Sequence, residues 1–388
     1  MTTSLRVVAG LFVASLALRP QILAIGPLLP QIRSDLALSA SVAGLLTTIP
    51  VLCMGLFAPI GPRVAAYLGT RTAYAGCLAL IIGFGLLRSI APTAVLVLAT
   101  TLGIGIGIGA AGAIPSMVVS QRIARRPAFG TGAYAGGIVA GSTLAAALAV
   151  PLASNGDWRR ALAIISVAAV ISLAAWLLLV RGGPEFRPRD EPARRLPWRN
   201  PTGWLLIVVF GLQSIMFYGV VAWLPNIFVE RGWAADSAGA LVAVFNGVGL
   251  LTTIGLPLVA DRLGARRPQL TLASIVAIAA MTVLIAAPDM AFLWVAILGL
   301  ALGAVFPLVL TLPLDVATNP AEVGSVAALM LLGGYVLSAV GPVVLGAARD
   351  LTGNFSASLI LLVGIGVLLT LACTALSPAR LARGVAPA

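Results

Sequence analysis

The chain has 388 residues, of which 60% are hydrophobic and 9% are charged, and its formal net charge is +12. A soluble domain has about 25% charged residues, so this composition excludes an ordinary soluble protein. Nearly all of the 24 basic residues, which are all arginines, lie in short connections, and this dispersion disfavours nucleic-acid binding. Apolar runs of near 20 residues, without the alternation of barrel strands, predict an all-α polytopic membrane protein.

Twelve apolar runs are long enough to cross a bilayer as helices. The first follows Arg6 but lacks the small-residue cleavage site of a signal peptide, so we predict that it is the first span. In chain order, the predicted spans cover residues 5–29, 39–62, 71–90, 93–118, 129–153, 161–180, 203–227, 237–260, 269–287, 291–315, 324–347 and 355–377.

The longest polar interruption, residues 181–201, is rich in proline and charge and has no apolar period, which is typical of a linker. We therefore predict an N-terminal six-helix half at residues 1–180, a linker at 181–202 and a C-terminal six-helix half at 203–388. An internal repeat supports this division, because "PRVAAYLGTR" at 62–71 matches "PLVADRLGAR" at 257–266 in six of ten positions. Parallel halves of this kind imply a site at their interface, near the bilayer midplane.

Arginines are distributed unequally between the two sides of the predicted bundle. The side that carries both termini and the linker has 17 arginines, and the other side has 6. Because cytoplasmic loops are enriched in arginine and lysine, both termini and the linker are predicted to be cytoplasmic. We expect a multi-pass protein of the cell inner membrane.

One arginine lies in the middle of the first predicted span. Arg19 is about 21 Å from Leu5 and about 15 Å from Leu29 along a helix. A charge at that depth costs about 2.5 kcal/mol or more unless it faces a polar cavity or a partner. All twelve acids lie in loops or near span ends, so none is expected beside it. Arg19 is therefore predicted to bind an anionic or nitro-bearing ligand, the alternative being contacts with backbone carbonyls or water.

The repeat also predicts which residues face Arg19. At the offset of 195 residues, Arg19 aligns with Ser214, and Leu23, one turn later, aligns with Tyr218. Asn246 in span 8 and Tyr335 in span 11 are further polar residues in mid-span. The alternative to substrate binding for both residues is an interhelical hydrogen bond, and this alternative is favoured for Tyr134 in span 5. The full predicted substrate-binding set is Arg19, Gln213, Ser214, Phe217, Tyr218, Asn246 and Tyr335.

Several other features carry less functional information. Arg88 ends span 3 and is expected at the membrane interface. The glycines of "GIGIGIGAAG", residues 103–112, lie inside an apolar span rather than after a strand, so they favour close helix packing over nucleotide binding. The three cysteines fall inside apolar runs and the chain has no histidine. We therefore expect no metal site, no cofactor and no enzymatic activity.

The twelve spans, the duplicated half and "PLVADRLGARRP" at 257–268 resemble the major facilitator superfamily over nearly the whole chain. The pattern of Asp261, Arg262, Gly264 and Arg266 is similar to that superfamily's signature between helices 8 and 9. The resemblance implies a conformational gate, whose cytoplasmic contacts break during transport. The first half departs from the signature, because Ala66-Tyr67 replaces Asp-Arg, and a symmetric charged lock is therefore in doubt.

The segments "LRPQILAIGPLLPQIR" at 18–33 and "LLTTIPVLCMGLFAP" at 45–59 resemble the cyanate permease and 2-nitroimidazole transporter family. That resemblance implies alternating-access transport of a small anionic or nitro-containing solute by a monomer in the lipid bilayer, with protons as candidate coupling ions. One alternative is a multidrug or metabolite exporter of the same fold, although such pumps often use a membrane-embedded carboxylate. A membrane-embedded enzyme is the alternative of another class.

Overall fold

The computed structural model describes residues 3–38, 40–153, 157–181, 196–264, 266–317 and 319–377. These residues are almost wholly helical. Eleven helical stretches among them are long and apolar enough to cross a membrane, and one bent pair of helices supplies a twelfth. The prediction of an all-α, polytopic membrane protein is therefore confirmed. Most of the predicted linker, residues 182–195, lies outside the described part of the chain.

Sixteen α-helices and one short 3-10 helix, Pro288–Met290, are found in the described residues. The helices are α1 (Thr3–Ser15), α2 (Pro20–Leu23), α3 (Ile25–Leu36), α4 (Ala40–Leu56), α5 (Ile60–Leu68), α6 (Thr70–Ser89), α7 (Ala94–Ala111), α8 (Ile114–Arg122), α9 (Pro127–Leu152), α10 (Trp158–Leu179), α11 (Pro201–Glu230), α12 (Ala235–Ala260), α13 (Arg266–Ala286), α14 (Ala291–Val316), α15 (Pro320–Thr352) and α16 (Ser356–Thr374).

The first span is not the single helix that the sequence predicts. Helix α1 ends at Ser15 and α2 begins at Pro20, with Arg19 as the residue before the new helix. Proline has no N–H that could donate to the carbonyl four residues earlier, so the helical ladder is interrupted there. The backbone carbonyl of Arg19 instead accepts hydrogen bonds from the amides of Ile22 and Leu23, at 2.9 and 3.1 Å. The interruption gives Arg19 a direction that a continuous helix would not.

The second span is bent rather than straight. Helices α4 and α5 meet at an angle of 57°, with Pro59 immediately before α5. The predicted limit of this span, residue 62, is also too short, because α5 continues to Leu68. A proline removes a backbone donor, and it is therefore a common cause of a sharp bend at such a position.

The helix packing reflects the internal repeat. Pro62 and Pro257 are separated by the offset of 195 residues. A Cβ added to Gly324 would lie 3.1 Å from Cβ of Pro62, and a Cβ added to Gly132 would overlap the Pro257 ring. Thus each proline packs against a glycine of the opposite half of the sequence. Both contacts lie toward the end of the bundle where arginines lie in or beside the α5–α6, α8–α9 and α12–α13 connections, which we call the basic end.

The glycine-rich segment of α7 packs closely on the second span. A Cβ on Gly105 would lie 2.8 Å from Cβ of Cys53, and one on Gly109 would overlap the Cys53 carbonyl oxygen. Because a side chain at either position would separate the two helices, these glycines act in helix packing, as small residues commonly do in membranes.

Candidate functional site

A cavity lies where the interruption of the first span faces α11, α12 and α14. Its free space is about 480 Å³, including the part that is open to solvent. No carboxylate is found among the described residues that line it. The lining residues are Arg19, Val139, Gln213, Ser214, Phe217, Tyr218, Phe245, Asn246, Gly249, Thr253, Gly299, Leu302, Gly303 and Phe306.

Arg19 is the cation of this cavity. Its Nη2 donates a 2.9 Å hydrogen bond to the hydroxyl of Tyr335, and its Cζ lies 5.7 Å from the centre of the Phe306 ring. Within the described part of the chain, no carboxylate forms an ion pair with it. A phenol hydroxyl and an aromatic face stabilise a guanidinium but do not neutralise it. The other N–H donors of the Arg19 guanidinium are thus suited to a ligand with negative charge or with two adjacent oxygens.

Helix α11 contributes four of the predicted residues to the cavity wall. Ser214 and Tyr218, which the repeat aligns with Arg19 and Leu23, both line it. Gln213 also lines it, and its Oε1 accepts a 3.3 Å hydrogen bond from the Ser214 hydroxyl. The ring of Phe217 packs edge-on against that of Tyr218, with 5.4 Å between their centres. The helix thereby presents polar groups and an aromatic surface side by side.

The remaining two predicted residues occupy different positions. Asn246 lines the cavity from α12, and its Nδ2 donates a 3.0 Å hydrogen bond to the carbonyl of Val242. This bond stays within one helix, so it differs from the interhelical bond considered as the alternative. Tyr335 contacts Arg19 directly, and its ring packs edge-on against Phe210 at a centre distance of 5.0 Å. Tyr335 therefore fixes the orientation of the guanidinium.

Some lining residues were not in the predicted set. Phe245 packs on Phe217 with 5.6 Å between ring centres, and Phe306 lies beneath the Arg19 guanidinium. Thr253 lines the cavity and its hydroxyl donates a 2.8 Å hydrogen bond to the carbonyl of Gly303. An isolated apolar or threonine residue in a membrane span carries no sequence signal of a site. Phe245, however, directly precedes Asn246, and the polar Asn246 side chain was a sequence signal that this turn of α12 faces the cavity.

Tyr134 and Arg88 are polar residues of the spans that are not among the residues lining the cavity. The hydroxyl of Tyr134 is 3.2 Å from that of Ser116, and both side chains are buried away from the cavity. Arg88 was expected at the membrane interface; it lies in the last turn of α6, and its side chain is completely buried among the described residues. It is covered because its guanidinium contacts Gln21 in the interrupted first span.

The predicted gate residues lie at the basic end, where the two halves of the sequence meet. The two carboxylate oxygens of Asp261 accept hydrogen bonds from the backbone amides of Ala128 and Phe129, at 3.0 and 3.1 Å. These amides belong to the first turn of α9, where backbone N–H groups lack helical acceptors and the helix dipole favours an anion. Asp261 thus joins the α12–α13 connection to a helix 133 residues earlier in the chain.

Arg266 holds the Asp261 carboxylate in place. Its Nη2 donates a 2.7 Å hydrogen bond to Asp261, its Nη1 donates to the carbonyl of Ala260, and its Nε lies 3.7 Å from a carboxylate oxygen of Asp315. Gly264 has a φ of +77°, a conformation that strongly favours glycine, and it allows the chain to turn back between the two helices.

The remaining gate residue and its counterpart in the first half do not share this arrangement. Arg262 is exposed, and its side chain forms no hydrogen bond or ion pair with the other described residues. Tyr67, which stands where a repeated signature would have arginine, is 83% exposed. The charged contact between the halves is consequently asymmetric in the described structure, as the departure from the signature had suggested.

The helical bundle, with a cavity that the cation Arg19 lines, has the architecture of a polytopic membrane transporter. The family model of the Major Facilitator Superfamily matches residues 8–342, and the chain belongs to this superfamily. The chain is 32% identical to the cyanate transport protein CynX of Escherichia coli (strain K12) over 89% of this chain and 90% of that protein. It is 28% identical to the 2-nitroimidazole transporter of the same strain, over 93% and 92% of the two chains.

A solved structure shows the same fold. The proton:xylose symporter XylE, bound to 6-bromo-6-deoxy-D-glucose, superimposes with a TM-score of 0.80. The match covers 95% of this chain and 94% of that chain, at 14% sequence identity. The sequence-based resemblance to the superfamily and to the cyanate and 2-nitroimidazole transporters is therefore confirmed, and the fold is that of the superfamily.

Proposed function

We propose that this transporter carries a small anionic or nitro-containing solute, such as a cyanate-like anion or a 2-nitroimidazole-like compound. The observation that carries this proposal is the Arg19 guanidinium, which enters the cavity without a carboxylate partner among the described residues. A bound anion would neutralise the guanidinium. A nitro group would offer it two oxygens in a plane, which suits the geometry of the fork.

The aromatic residues of the cavity would complete such a site. Phe217, Phe245 and Phe306 provide flat apolar surfaces near the guanidinium, whereas Ser214 and Asn246 provide polar atoms. This arrangement fits a small planar solute that is anchored at one edge and stacked on its faces. A cationic drug would instead place its charge beside Arg19 with no described carboxylate nearby, so the exporter alternative is disfavoured.

Transport would follow the alternating-access scheme of the superfamily. In this proposal, residues 1–180 and 203–388 form the two halves, residues 181–202 form the linker, and the basic end faces the cytoplasm of a cell with the protein in its inner membrane. Both termini are then cytoplasmic. The contact of Asp261 with α9 closes the cytoplasmic side, and it must break when the cavity opens there. The protein would act as a monomer.

A ligand screen tests the substrate class directly. Purified protein is heated with increasing concentrations of cyanate, nitrate, acetate or 2-nitroimidazole, and with tetraethylammonium as a cationic control. A ligand of the native state stabilises it by about 2.7 kcal/mol at 100 times its Kd, so Tm should rise with the concentration of an anion or of the nitro compound. Stabilisation by tetraethylammonium alone would contradict the proposal and favour the exporter of cationic compounds.

The coupling of transport to an energy source gives a further prediction. The chain has no histidine, and no carboxylate is found among the described residues that line the cavity. The described lining therefore offers neither an imidazole nor a carboxylate to carry a proton. Entry of a free anion against an inside-negative potential costs about 2.3 kcal/mol per 100 mV. Three routes avoid this cost: exchange for an internal anion, movement of the anion with a proton as its neutral acid, and transport of a neutral solute.

We expect the second or third route. In proteoliposomes, an inward proton gradient should increase the uptake of cyanate without a preloaded internal anion, whereas uptake of neutral 2-nitroimidazole should not respond to an imposed potential. The gradient and the potential are imposed separately, and protein-free liposomes are the control for permeation of the neutral acid. Uptake that ignores the proton gradient but requires a preloaded anion would identify exchange instead.

A further inference from the structure

A buried arginine, Arg88, lies in the same half of the sequence as Arg19. Arg88 lies in the last turn of α6, and its side chain is 0% exposed. No described carboxylate pairs with it, and its Nε and Nη1 have no hydrogen-bond partner in the structure. A buried charge without an ion-pair partner lowers the stability of the folded protein. Arg88 is therefore expected to have a role other than stabilising the fold.

The hydrogen bonds of Arg88 all reach one residue of the interrupted first span. Its Nη2 donates to the backbone carbonyl of Gln21 at 2.8 Å and to the side-chain Oε1 of Gln21 at 2.5 Å. The amide nitrogen of Gln21 in turn donates to the hydroxyl of Ser166 in α10, at 2.7 Å. Gln21 is itself 1% exposed, so α6 and α10 hold both its backbone and its side chain.

The space that Gln21 occupies depends on a glycine. A Cβ at Gly85 would lie 2.6 Å from the Ser166 hydroxyl and 2.9 Å from the Gln21 amide nitrogen. The gap between α6 and α10 thus fits the Gln21 side chain with no room for a larger residue at position 85. The contact is consequently a built pocket for Gln21 and not an accidental surface bond.

Arg19, which directly precedes the short helix α2, and Gln21 within α2 point in different directions. Residues two apart on a helix are separated by about 200°. Arg19 points toward Tyr335 and Phe306, and Gln21 points toward α6 and α10. Helix α2 has only four residues, and a helix this short has little stability of its own. Its position, and with it that of Arg19, must be set by contacts with other helices.

We propose that Arg88 is a positioning residue for Arg19: through Gln21, it holds the interrupted segment of the first span so that the Arg19 guanidinium projects into the cavity. This inference rests on the proposed function, because it assigns Arg88 to the site through Arg19. Arg88 is not among the described residues that line the cavity, and it contacts the first span at Gln21.

The test compares transport by Arg88→Met, Gln21→Met and the double variant in proteoliposomes, with cyanate and 2-nitroimidazole as the probes. Arg88→Met should raise KM for both probes about tenfold, the factor that corresponds to losing a hydrogen bond to a charged group. The maximal rate should stay within about twofold, because groups that only improve binding change KM. Gln21→Met should act in the same direction, and the double variant should not exceed Arg88→Met alone.

Two further measurements separate positioning from other roles. Tm should change little in Arg88→Met, because the removal of a buried charge without a carboxylate partner and the loss of the donor to the two Gln21 acceptors act in opposite directions. Arg349→Met is the matched control, since Arg349 pairs with Glu230 at 3.5 Å in the other half, and its KM should be unchanged. If Arg88→Met fails to insert, Gln21→Met carries the test.

Several results would overturn the inference. The first is an unchanged KM in the folded Arg88→Met and Gln21→Met proteins. The second is a KM of the double variant that rises by the product of the two single factors. The third is a rise in KM for cyanate without a rise in KM for neutral 2-nitroimidazole. The last result would mean that the charge of Arg88 acts at a distance and that its contact with Gln21 does not matter. Normal uptake by Arg19→Ala would instead refute the proposed function itself.

Discussion

Replacement of Arg19 by alanine should abolish substrate binding while the protein still inserts and folds. The side chain makes one hydrogen bond to Tyr335 and no ion pair with a described carboxylate, so its removal leaves no described acid unpaired. Loss of two charge-assisted hydrogen bonds to a ligand would cost about 3–6 kcal/mol, which lowers affinity by a factor of at least about 100. Uptake of cyanate and 2-nitroimidazole in proteoliposomes measures this effect.

Arg19→Lys should also transport poorly, because an ammonium keeps the charge but loses the planar pair of donors. The comparison of the two variants therefore separates charge from geometry. Arg349→Ala, which removes an arginine that pairs with Glu230, should leave uptake unchanged. Normal uptake by Arg19→Ala, with normal amounts of folded protein, would show that the substrate site lies elsewhere.

Replacement of Asp261 by asparagine should open the basic end of the bundle. The carboxylate accepts hydrogen bonds from the Ala128 and Phe129 amides and pairs with Arg266, whereas a neutral amide has a single acceptor oxygen and no charge. The loss of the second bond and of the attraction to the helix dipole and Arg266 should weaken the contact by about 2 kcal/mol. The ratio of closed to open molecules should then fall by a factor of about 30.

Distances between spin labels on the α8–α9 and α12–α13 connections would measure this change, with a longer distance expected in Asp261→Asn. Asp289→Asn is the matched control, because Asp289 is an exposed acid in the short helix Pro288–Met290, away from this contact. An unchanged distance distribution in Asp261→Asn would show that the contact does not govern closure at this end.

Within the candidate site, the accuracy of the sequence-based reasoning depended on the kind of signal. The repeat offset placed Ser214 and Tyr218 on the face that lines the cavity, because aligned positions of two similar halves face the same interface. Phe306 was missed as a lining residue, since an aromatic residue in a long apolar helix is indistinguishable from one that faces lipid. The superfamily signature singled out Asp261 as a predicted gate residue but not as the acceptor of the Ala128 amide, because backbone amides have no sequence signature.

The sequence by itself determined that this protein spans a membrane many times and that it belongs to a transporter superfamily, and it predicted two duplicated halves. Hydropathy over about 20 residues and the spacing of prolines and glycines are properties of the chain, and they need no knowledge of contacts. The depth of Arg19 in the first span followed in the same way from the distance to each end of its apolar run.

Only the tertiary structure decided which side chains meet. Arg88 has the sequence context of an interfacial arginine, at the end of a helix, yet its side chain is 0% exposed and donates its hydrogen bonds to Gln21 of another span. The direction of Arg19 likewise depends on the interruption before Pro20 and on Tyr335, which lies 316 residues away in the chain. The reason is that a helix's amino-acid pattern specifies its faces, whereas the partner of each face is set by how distant helices pack in three dimensions.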